Sequence, residues 1–312
     1  MTTRIVAPQD FGGPEQLAVS NAPTPEPQAG EVRVAVRAIG VNPIDWKLYS
    51  GAFGHDPALL TALGSDLSGV VDALGTGVTG WNVGDAVVVA SLPGTAYAEQ
   101  VLVPVDLLVA KPESVPFEVA GGVGVVAGTA VHALETVHVG NGDTLLLHGG
   151  AGGVGGLIVQ LAVRRGARVI ATASAGNHDY LRALGAAPVT YGEGLEQRVR
   201  TIAPDGVDAA IDAVGTDEAL DSSVALVADR SRIVTIAGFG RAAELGICAI
   251  GGGPGADPGT AVRAAAVPQV LDLLARAEVE LPVARTYPLE ETARAHRDSI
   301  AGHTRGKLVV LP

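Results

Sequence analysis

Along the first third of the chain, apolar residues fall in short, β-branched runs, Arg33 to Ile39, Ala86 to Ala90 and Ala98 to Val103, closed off by Gly, Pro or Asn. Runs this short, with turn residues at close intervals, predict a compact β-barrel. Pro23 to Gly30 carries too many prolines for a helix or a central strand and reads as a connecting loop. Pro43 to Tyr49 is expected to form a helical turn, with Asn42 as its cap and Pro43 at the first helical position. After Lys111-Pro112 the pattern changes. Phe117 to His138 has the apolar face of a long helix. From Thr144 onward, strand and helix patterns alternate: Thr144–His148, Gly153–Arg165, Arg168–Ala173, His178–Ala183, Pro188–Tyr191, Leu195–Ala203, Ala209–Asp212, Asp217–Val227 and Ser231–Ile236. That alternation predicts a doubly wound parallel sheet with helices on both faces, an α/β architecture. Ile250 to Gly259 reads as loop. A helix (Thr260 to Ala277), a strand (Leu281 to Thr286), a helix (Leu289 to Ala301) and a last strand (Lys307 to Leu311) close the chain.

The first alternating strand runs into a burst of glycines, TLLLHGGAGGVGG, from Thr144 to Gly156. Gly150, Gly152 and Gly155 stand in the order G-x-G-x-x-G, with Gly153 and Val154 between the second and third. After a strand, the first glycine permits a tight turn, the second lets a pyrophosphate approach the backbone, and the third lets helix and strand pack closely. The following helix then points free N–H groups at the anion. Glycines also collect in ordinary turns, and this chain has 42 of them. Context favours the dinucleotide site: a strand precedes, a helix with Val154, Leu157, Ile158, Leu161 and Ala162 on one face follows, and a second strand comes next.

Composition narrows the functional classes. A 312-residue chain is long enough for two domains, and 47% hydrophobic with 17% charged residues marks a globular protein. The formal charge of −12 argues against a nucleic-acid partner. The single cysteine, Cys248, excludes an internal disulfide, leaves no thiolate cluster for zinc, and is expected to be a small buried hydrophobe. The N-terminus lacks an apolar signal core, and the most apolar tract, Val119 to Leu134, is broken by Thr129, His132 and glycines. No membrane association is expected, and the cytoplasm is the expected location.

Four blocks carry a likeness to a known family: VNPIDWKLYSG (Val41 to Gly51), GSDLSGVVDALGTGVTGWNVGDAV (Gly64 to Val87), AGTAVHALE (Ala127 to Glu135) with HGGAGGVGG (His148 to Gly156), and HTRGKLVV (His303 to Val310). In this order they resemble the zinc-free quinone oxidoreductase branch of the medium-chain dehydrogenase/reductase superfamily. The resemblance implies a GroES-like β-barrel catalytic domain of residues 1–116, completed by 260–312, with a Rossmann-type NADP(H)-binding domain of residues 117–259 between them. It also implies a cleft lined by Asn42, Asp45 and Tyr49, with Thr129 near the nicotinamide and Gly238-Phe239 after a cofactor-contacting strand. Each has a plainer reading: Asn42 as a helix cap, Asp45 as a solvated first-turn carboxylate, Thr129 as a helical residue bonded to its own backbone. His132 and His138 are read as packing residues. Arg305 and Lys307, before the final strand, are either neutralisers of cofactor phosphate or a solvated surface pair.

Zinc-dependent relatives place a Cys where this chain has Val41-Asn42-Pro43 and a His-Glu pair where it has Gly64-Ser65-Asp66, so no metal is expected. Without zinc, hydride transfer favours acceptors already polarised by conjugation, such as quinones and enones. An NAD site would put a carboxylate about 20 residues past the glycines. Ser174 stands there instead, and the first acid is Asp179. A carboxylate ~4 Å from a 2′-phosphate would repel it by about 1 kcal/mol in water and about 4 at an effective dielectric near 20. Ser174, Asn177 and His178 are candidate phosphate donors, and Asn177 is equally a candidate cap for the next helix. NADPH is the expected cofactor.

Enoyl thioester reductases of the superfamily carry a tyrosine proton donor where this chain has Phe53, and Tyr49 is the neighbouring candidate to replace it. The expected activity is NADPH-dependent reduction of a quinone or an α,β-unsaturated carbonyl. The alternatives are a pathway-specific enone or polyketide-intermediate reductase and a low-turnover NADPH-binding sensor or interaction protein. A homodimer is expected from the resemblance and from the apolar run Leu245 to Ile250, read as an edge strand.

Overall fold

The computed structural model describes residues 1–61, 63–92 and 94–312. The chain separates into two compact units, one of Met1–Val125 with Val267–Pro312 and one of Val126–Ala266. In chain order the first unit begins with strands β1 (Thr2–Pro8), β2 (Leu17–Pro23) and β3 (Glu31–Val41), then helix α1 (Pro43–Tyr49). Strands β4 (Asp66–Leu74), β5 (Ala86–Val89), β6 (Gln100–Pro104) and β7 (Leu108–Ala110) follow, then helices α2 (Phe117–Ala120) and α3 (Val123–Thr136). The alternating region comprises β8 (Thr144–His148), α4 (Gly153–Arg164), β9 (Arg168–Thr172), α5 (His178–Ala183), β10 (Ala187–Val189), α6 (Leu195–Ile202) and β11 (Ala209–Asp212). It ends with α7 (Asp217–Leu226), β12 (Ile233–Thr235), α8 (Phe239–Leu245) and β13 (Cys248–Ala249). Helix α9 (Thr260–Ala275), β14 (Val283–Pro288), α10 (Thr292–Ala301) and β15 (Lys307–Leu311) complete the chain.

In the first unit β3 is the hub of a seven-stranded sheet, pairing antiparallel with β4, β6 and β15. Its alternation places Val32, Val34 and Val36 in a core shared with Leu67, Val87, Val103, Tyr97 and Val310. Because side chains on one face of a strand recur every two residues, alternation of this kind commits one face to the interior. The single long helix expected over Phe117 to His138 is instead broken at Gly121-Gly122. The break is a packing requirement: a Cβ on Gly121 would stand 2.6 Å from the Ala38 carbonyl, so β3 and this turn meet backbone to backbone.

The second unit is a six-stranded parallel sheet in the order β10-β9-β8-β11-β12-β13. The chain lays strands outward from β8 to β10, then returns to add β11 on the other side of β8. The crevice at such a reversal, at the carboxyl ends of β8 and β11, is where open α/β sheets hold ligands. Leu145, Leu146, Leu147, Ala209, Ala210 and Ile211 are all fully buried, as expected of central parallel strands covered on both faces. The run Leu245 to Ile250 does supply an edge strand, though a two-residue one, because Leu245 ends α8 and Gly246 turns the chain. Among the described residues no helix is long and apolar enough to cross a membrane.

Candidate active site

The glycine turn is held from below by β9. Gly149 N–H donates to Thr172 Oγ1 and Gly150 N–H to the Thr172 carbonyl, at 3.1 and 3.0 Å. The left-handed residue that makes the turn is Gly149 (φ 83°), one place before the motif's first glycine. Gly155 is where helix and strand touch: a Cβ there would lie 2.1 Å from the Gly149 carbonyl oxygen. Gly152 differs, since a Cβ on it would meet nothing closer than 3.7 Å. Protein packing therefore does not require a glycine at 152, whereas close approach of a ligand does. Gly152 is also the N-cap of α4 with no side chain capping it, so the first-turn N–H groups of Gly153, Val154 and Gly155 have no intrahelical acceptor and can take an anion.

The neighbouring strand ends rigidify and line this crevice. At the end of β11, the fully buried Asp212 accepts from the Val214 and Gly215 N–H groups and from Thr235 Oγ1 (2.6 Å). Thr235 Oγ1 in turn accepts from the N–H groups of Ala237 and Gly238. After β9, Ser174 Oγ accepts from the Asn177 amide at 3.1 Å, and His178 Nε2 is buried without a hydrogen-bond partner. Asp179, the first acid, is fully exposed and pairs with Arg182 at 2.6 Å. An orphaned imidazole nitrogen, a hydroxyl and an amide at this strand end, with the carboxylate turned outward, fit an additional phosphate.

The first unit holds a second polar assembly, wholly internal. Lys307, at the start of β15, donates its ammonium to the Val41 carbonyl at 2.6 Å and to Asn42 Oδ1 at 2.7 Å. The Asn42 amide donates to Asp66 Oδ2 at 3.0 Å, and the same oxygen takes the Val125 N–H at 2.8 Å, in the first turn of α3. A carboxylate is favoured at a helix N-terminus. Asp45 Oδ2 accepts from the Asn42 N–H and from the Tyr97 hydroxyl, both at 2.9 Å, while Asp45 Oδ1 has no partner. Burial pushes the Asp45 carboxyl up to about 7, against the opposing pull of the Asn42 and Tyr97 donors. Burial likewise lowers the Lys307 ammonium and raises the Tyr97 and Tyr49 hydroxyls. His296 receives the Tyr49 hydroxyl on one side and meets Tyr97 on the other, and burial brings it down to about 4.

Comparison with known proteins decides the family. The chain is 34% identical to the quinone oxidoreductase of Pseudomonas aeruginosa, with 97% of each chain covered. It belongs to the quinone oxidoreductase branch of the medium-chain dehydrogenase/reductase superfamily. The alcohol dehydrogenase GroES-like domain is matched over residues 28–113 and the zinc-binding dehydrogenase family over 184–310. The quinone oxidoreductase of Coxiella burnetii has the same fold at 31% identity, a TM-score of 0.86 and full coverage of both chains. The Escherichia coli quinone oxidoreductase, solved in complex with NADPH, aligns at a TM-score of 0.87 and 26% identity over 99% of this chain and 100% of its own. The architecture is thus a GroES-like unit with a Rossmann-type parallel-sheet unit.

Against this quinone oxidoreductase fold, several residue expectations change. Asn42 is the N-cap of α1 and shares a capping box with Asp45, whose carboxylate takes the Asn42 N–H, while its side chain also reaches inward to Asp66 and Lys307. Asp45 is fully buried, so the solvated reading fails. Tyr49 is 1% exposed with its hydroxyl on His296, which removes it as a free proton donor beside Phe53. Thr129 bonds the Arg263 guanidinium at 2.9 Å. Lys307 lies in the strand and is buried while Arg305 is exposed, so they form neither a surface pair nor a joint phosphate clamp. Phe239 lies in α8 and lays its ring 2.4 Å from where a Cβ on Gly253 would be, and Gly238 is the N-cap of that helix. His132 is buried and packs as expected, meeting Asp257 at 3.3 Å, but His138 is exposed at a positive φ of 50°. Cys248 is only half-buried. Asp66, Tyr97 and His296 were missed, because no local motif marks side chains that meet only through the fold. Among the described residues no three His, Cys, Asp or Glu side chains gather as a metal site.

Proposed function

We propose that the chain is an NADPH-dependent oxidoreductase that reduces a quinone or another conjugated carbonyl without zinc. The observation that carries this reading is the open α4 N-terminus at Gly152 to Gly155, adjoining a β9 end furnished with Ser174, Asn177 and His178 and no inward carboxylate. The NADPH complex of the Escherichia coli relative supports it. In this reading the N–H groups of Gly153, Val154 and Gly155 hold the pyrophosphate, and Ser174, Asn177 and His178 hold the 2′-phosphate. Bound NADPH supplies the hydride. The zinc-free part rests on the donor set around Asn42. Its Oδ1 already faces the Lys307 ammonium, and a fixed cation on that oxygen is incompatible with a metal ion there.

With Tyr49 engaged by His296 and phenylalanine at 53, neither position offers a free hydroxyl to protonate a strongly basic enolate. A hydroquinone anion is a far weaker base, so quinones are the favoured acceptors. The test combines cofactor titration with an acceptor panel. NADPH is expected to bind at least about tenfold more tightly than NADH, about 1.4 kcal/mol, with most of the gap lost in Ser174→Asp. Simple quinones are expected to turn over faster than enoyl thioesters. Equal affinity for the two cofactors in the unmodified chain would sink the 2′-phosphate assignment. Turnover confined to enoyl thioesters would select the pathway-specific reductase, and tight NADPH binding with no turnover would select the sensor.

A further inference from the structure

Four buried polar side chains line up through the core of the first unit. Tyr49 Oη lies 2.7 Å from His296 Nδ1, His296 Nε2 lies 3.0 Å from Tyr97 Oη, and Tyr97 Oη donates to Asp45 Oδ2 at 2.9 Å. All four residues are at most 1% exposed. They come from three separated segments, α1, the stretch before β6, and α10, and none of these contacts closes a helix or a sheet ladder.

The proton inventory fixes the direction of the chain. An ionised Asp45 only accepts, so the Tyr97 proton points to it. The Tyr97 oxygen then accepts from His296 Nε2–H, which leaves Nδ1 bare to accept the Tyr49 proton. Every proton is one step from moving toward Asp45. A neutral imidazole is the form that can do this, and burial keeps His296 neutral. The receiving end has a reason to take the proton. Asp45 sits with Asp66 and Lys307, and with both carboxylates ionised the three carry a formal charge of −1 inside the core. Proton uptake cancels it.

We propose that Tyr49, His296 and Tyr97 form a proton relay that loads and unloads the buried carboxyl of Asp45, with His296 as the positioning residue that sets its direction. In the inward step the Tyr97 O–H bond breaks as Asp45 Oδ2–H forms, His296 Nε2–H breaks as Tyr97 O–H forms, and Tyr49 O–H breaks as His296 Nδ1–H forms. Tyr49 is itself 1% exposed, so it regains its proton from solvent only when α1 opens locally, and that opening limits how fast the relay reloads. The chain then points outward, ready to run in reverse. The groups facing Asp45 are Asn42 and Tyr49 of its own segment, Tyr97, Asp66 of β4 and Lys307 of β15; those facing His296 are Tyr49 and Tyr97. The relay rests on the reading above for its use: a quinone that receives hydride, two electrons and one proton, needs one further proton to become hydroquinone.

His296→Gln tests it in the full-length chain, because the amide can still donate to Tyr97 and accept from Tyr49 but cannot pass a proton between them. Infrared difference spectroscopy identifies the protonated carboxyl band of Asp45 by its disappearance in Asp45→Asn. Hydrogen–deuterium exchange of that band is expected to slow about tenfold or more in His296→Gln and in Tyr97→Phe. During single turnover with NADPH and a quinone, proton uptake seen by an indicator dye is expected to lag behind NADPH oxidation in the same variants. Exchange and uptake as fast as in the unmodified chain would overturn the relay, whatever the variants do to melting temperature. If His296→Gln does not fold, Tyr49→Phe removes the outer hydroxyl alone and is expected to slow exchange as well. Absence of NADPH oxidation with every acceptor would count against the proposed function, while the exchange measurement would still decide the relay.

Discussion

In the second unit the groups that can hold an anion are backbone N–H groups of consecutive residues, Gly153 to Gly155, presented by one turn. In the first unit charge is handled by side chains brought together from far apart: Lys307 meets Asn42 across 265 residues and His296 meets Tyr97 across 199. The backbone site costs little to keep ready, since helix N-termini have spare N–H groups wherever they occur. The side-chain site buries two carboxylates, an ammonium and an imidazole, and depends on every partner being in place. The first arrangement is robust to changes elsewhere and sensitive to added bulk at one glycine. The second is sensitive to the loss of any one member.

Lys307→Met should break this contrast hardest. It leaves Asp66 and Asp45 without their ammonium, and removal of one partner from a buried ionic group typically destabilises by about 3–5 kcal/mol. Chemical denaturation should show that loss in the first unit. A midpoint indistinguishable from that of the unmodified chain would mean that water, and not Lys307, neutralises the cluster.

A pH series sharpens the comparison. Folding holds the Asp45 carboxyl at about 7, above its ordinary value of 3.8, so the folded chain carries an extra proton between those values. The contribution of Asp45 is therefore fully present below about pH 4 and is lost as pH rises through about 7, a difference of a few kcal/mol. His296 and His148, both lowered to about 4 by burial, act in the opposite sense, since their stability is present above pH 6.5 and lost as pH falls toward 4. Melting curves of Asp45→Asn minus those of the unmodified chain isolate the carboxyl. The difference should grow in favour of the variant from acid to neutral pH, and a flat difference would place Asp45 in contact with solvent.

The smallest expected effects separate two glycines of one turn. Gly155→Ala drives a methyl into the Gly149 carbonyl and should destabilise the second unit by about 1–3 kcal/mol. Gly152→Ala has room in the protein and should leave the melting temperature nearly unchanged while weakening NADPH binding. Equal dinucleotide affinity in Gly152→Ala would show that no ligand passes close to that residue.

The alternation of strands and helices from Thr144, the helical turn after Asn42 and the final strand Lys307–Leu311 were legible because each depends on local periodicity or local turn chemistry. Boundaries shifted where distant backbone intervened, as at Gly121, whose need to approach Ala38 cannot be seen in a local window. Asn42 and Asp45 could be singled out from their block, but their partners could not: Tyr97 lies in a loop of Gly, Thr and Ala, and His296 on a helix whose local sequence reads as an ordinary amphipathic surface. The sequence alone determined the order of the elements, the parallel sheet and the anion-binding turn, since hydrophobic period and contiguous glycines are properties of neighbouring residues. Only the tertiary structure decided that Lys307 points inward, that Tyr49 is bound to His296, and that Asp45 is stripped of water. Each of those depends on which distant side chain arrives to replace the lost solvent, and burial, not residue type, then sets the charge it carries.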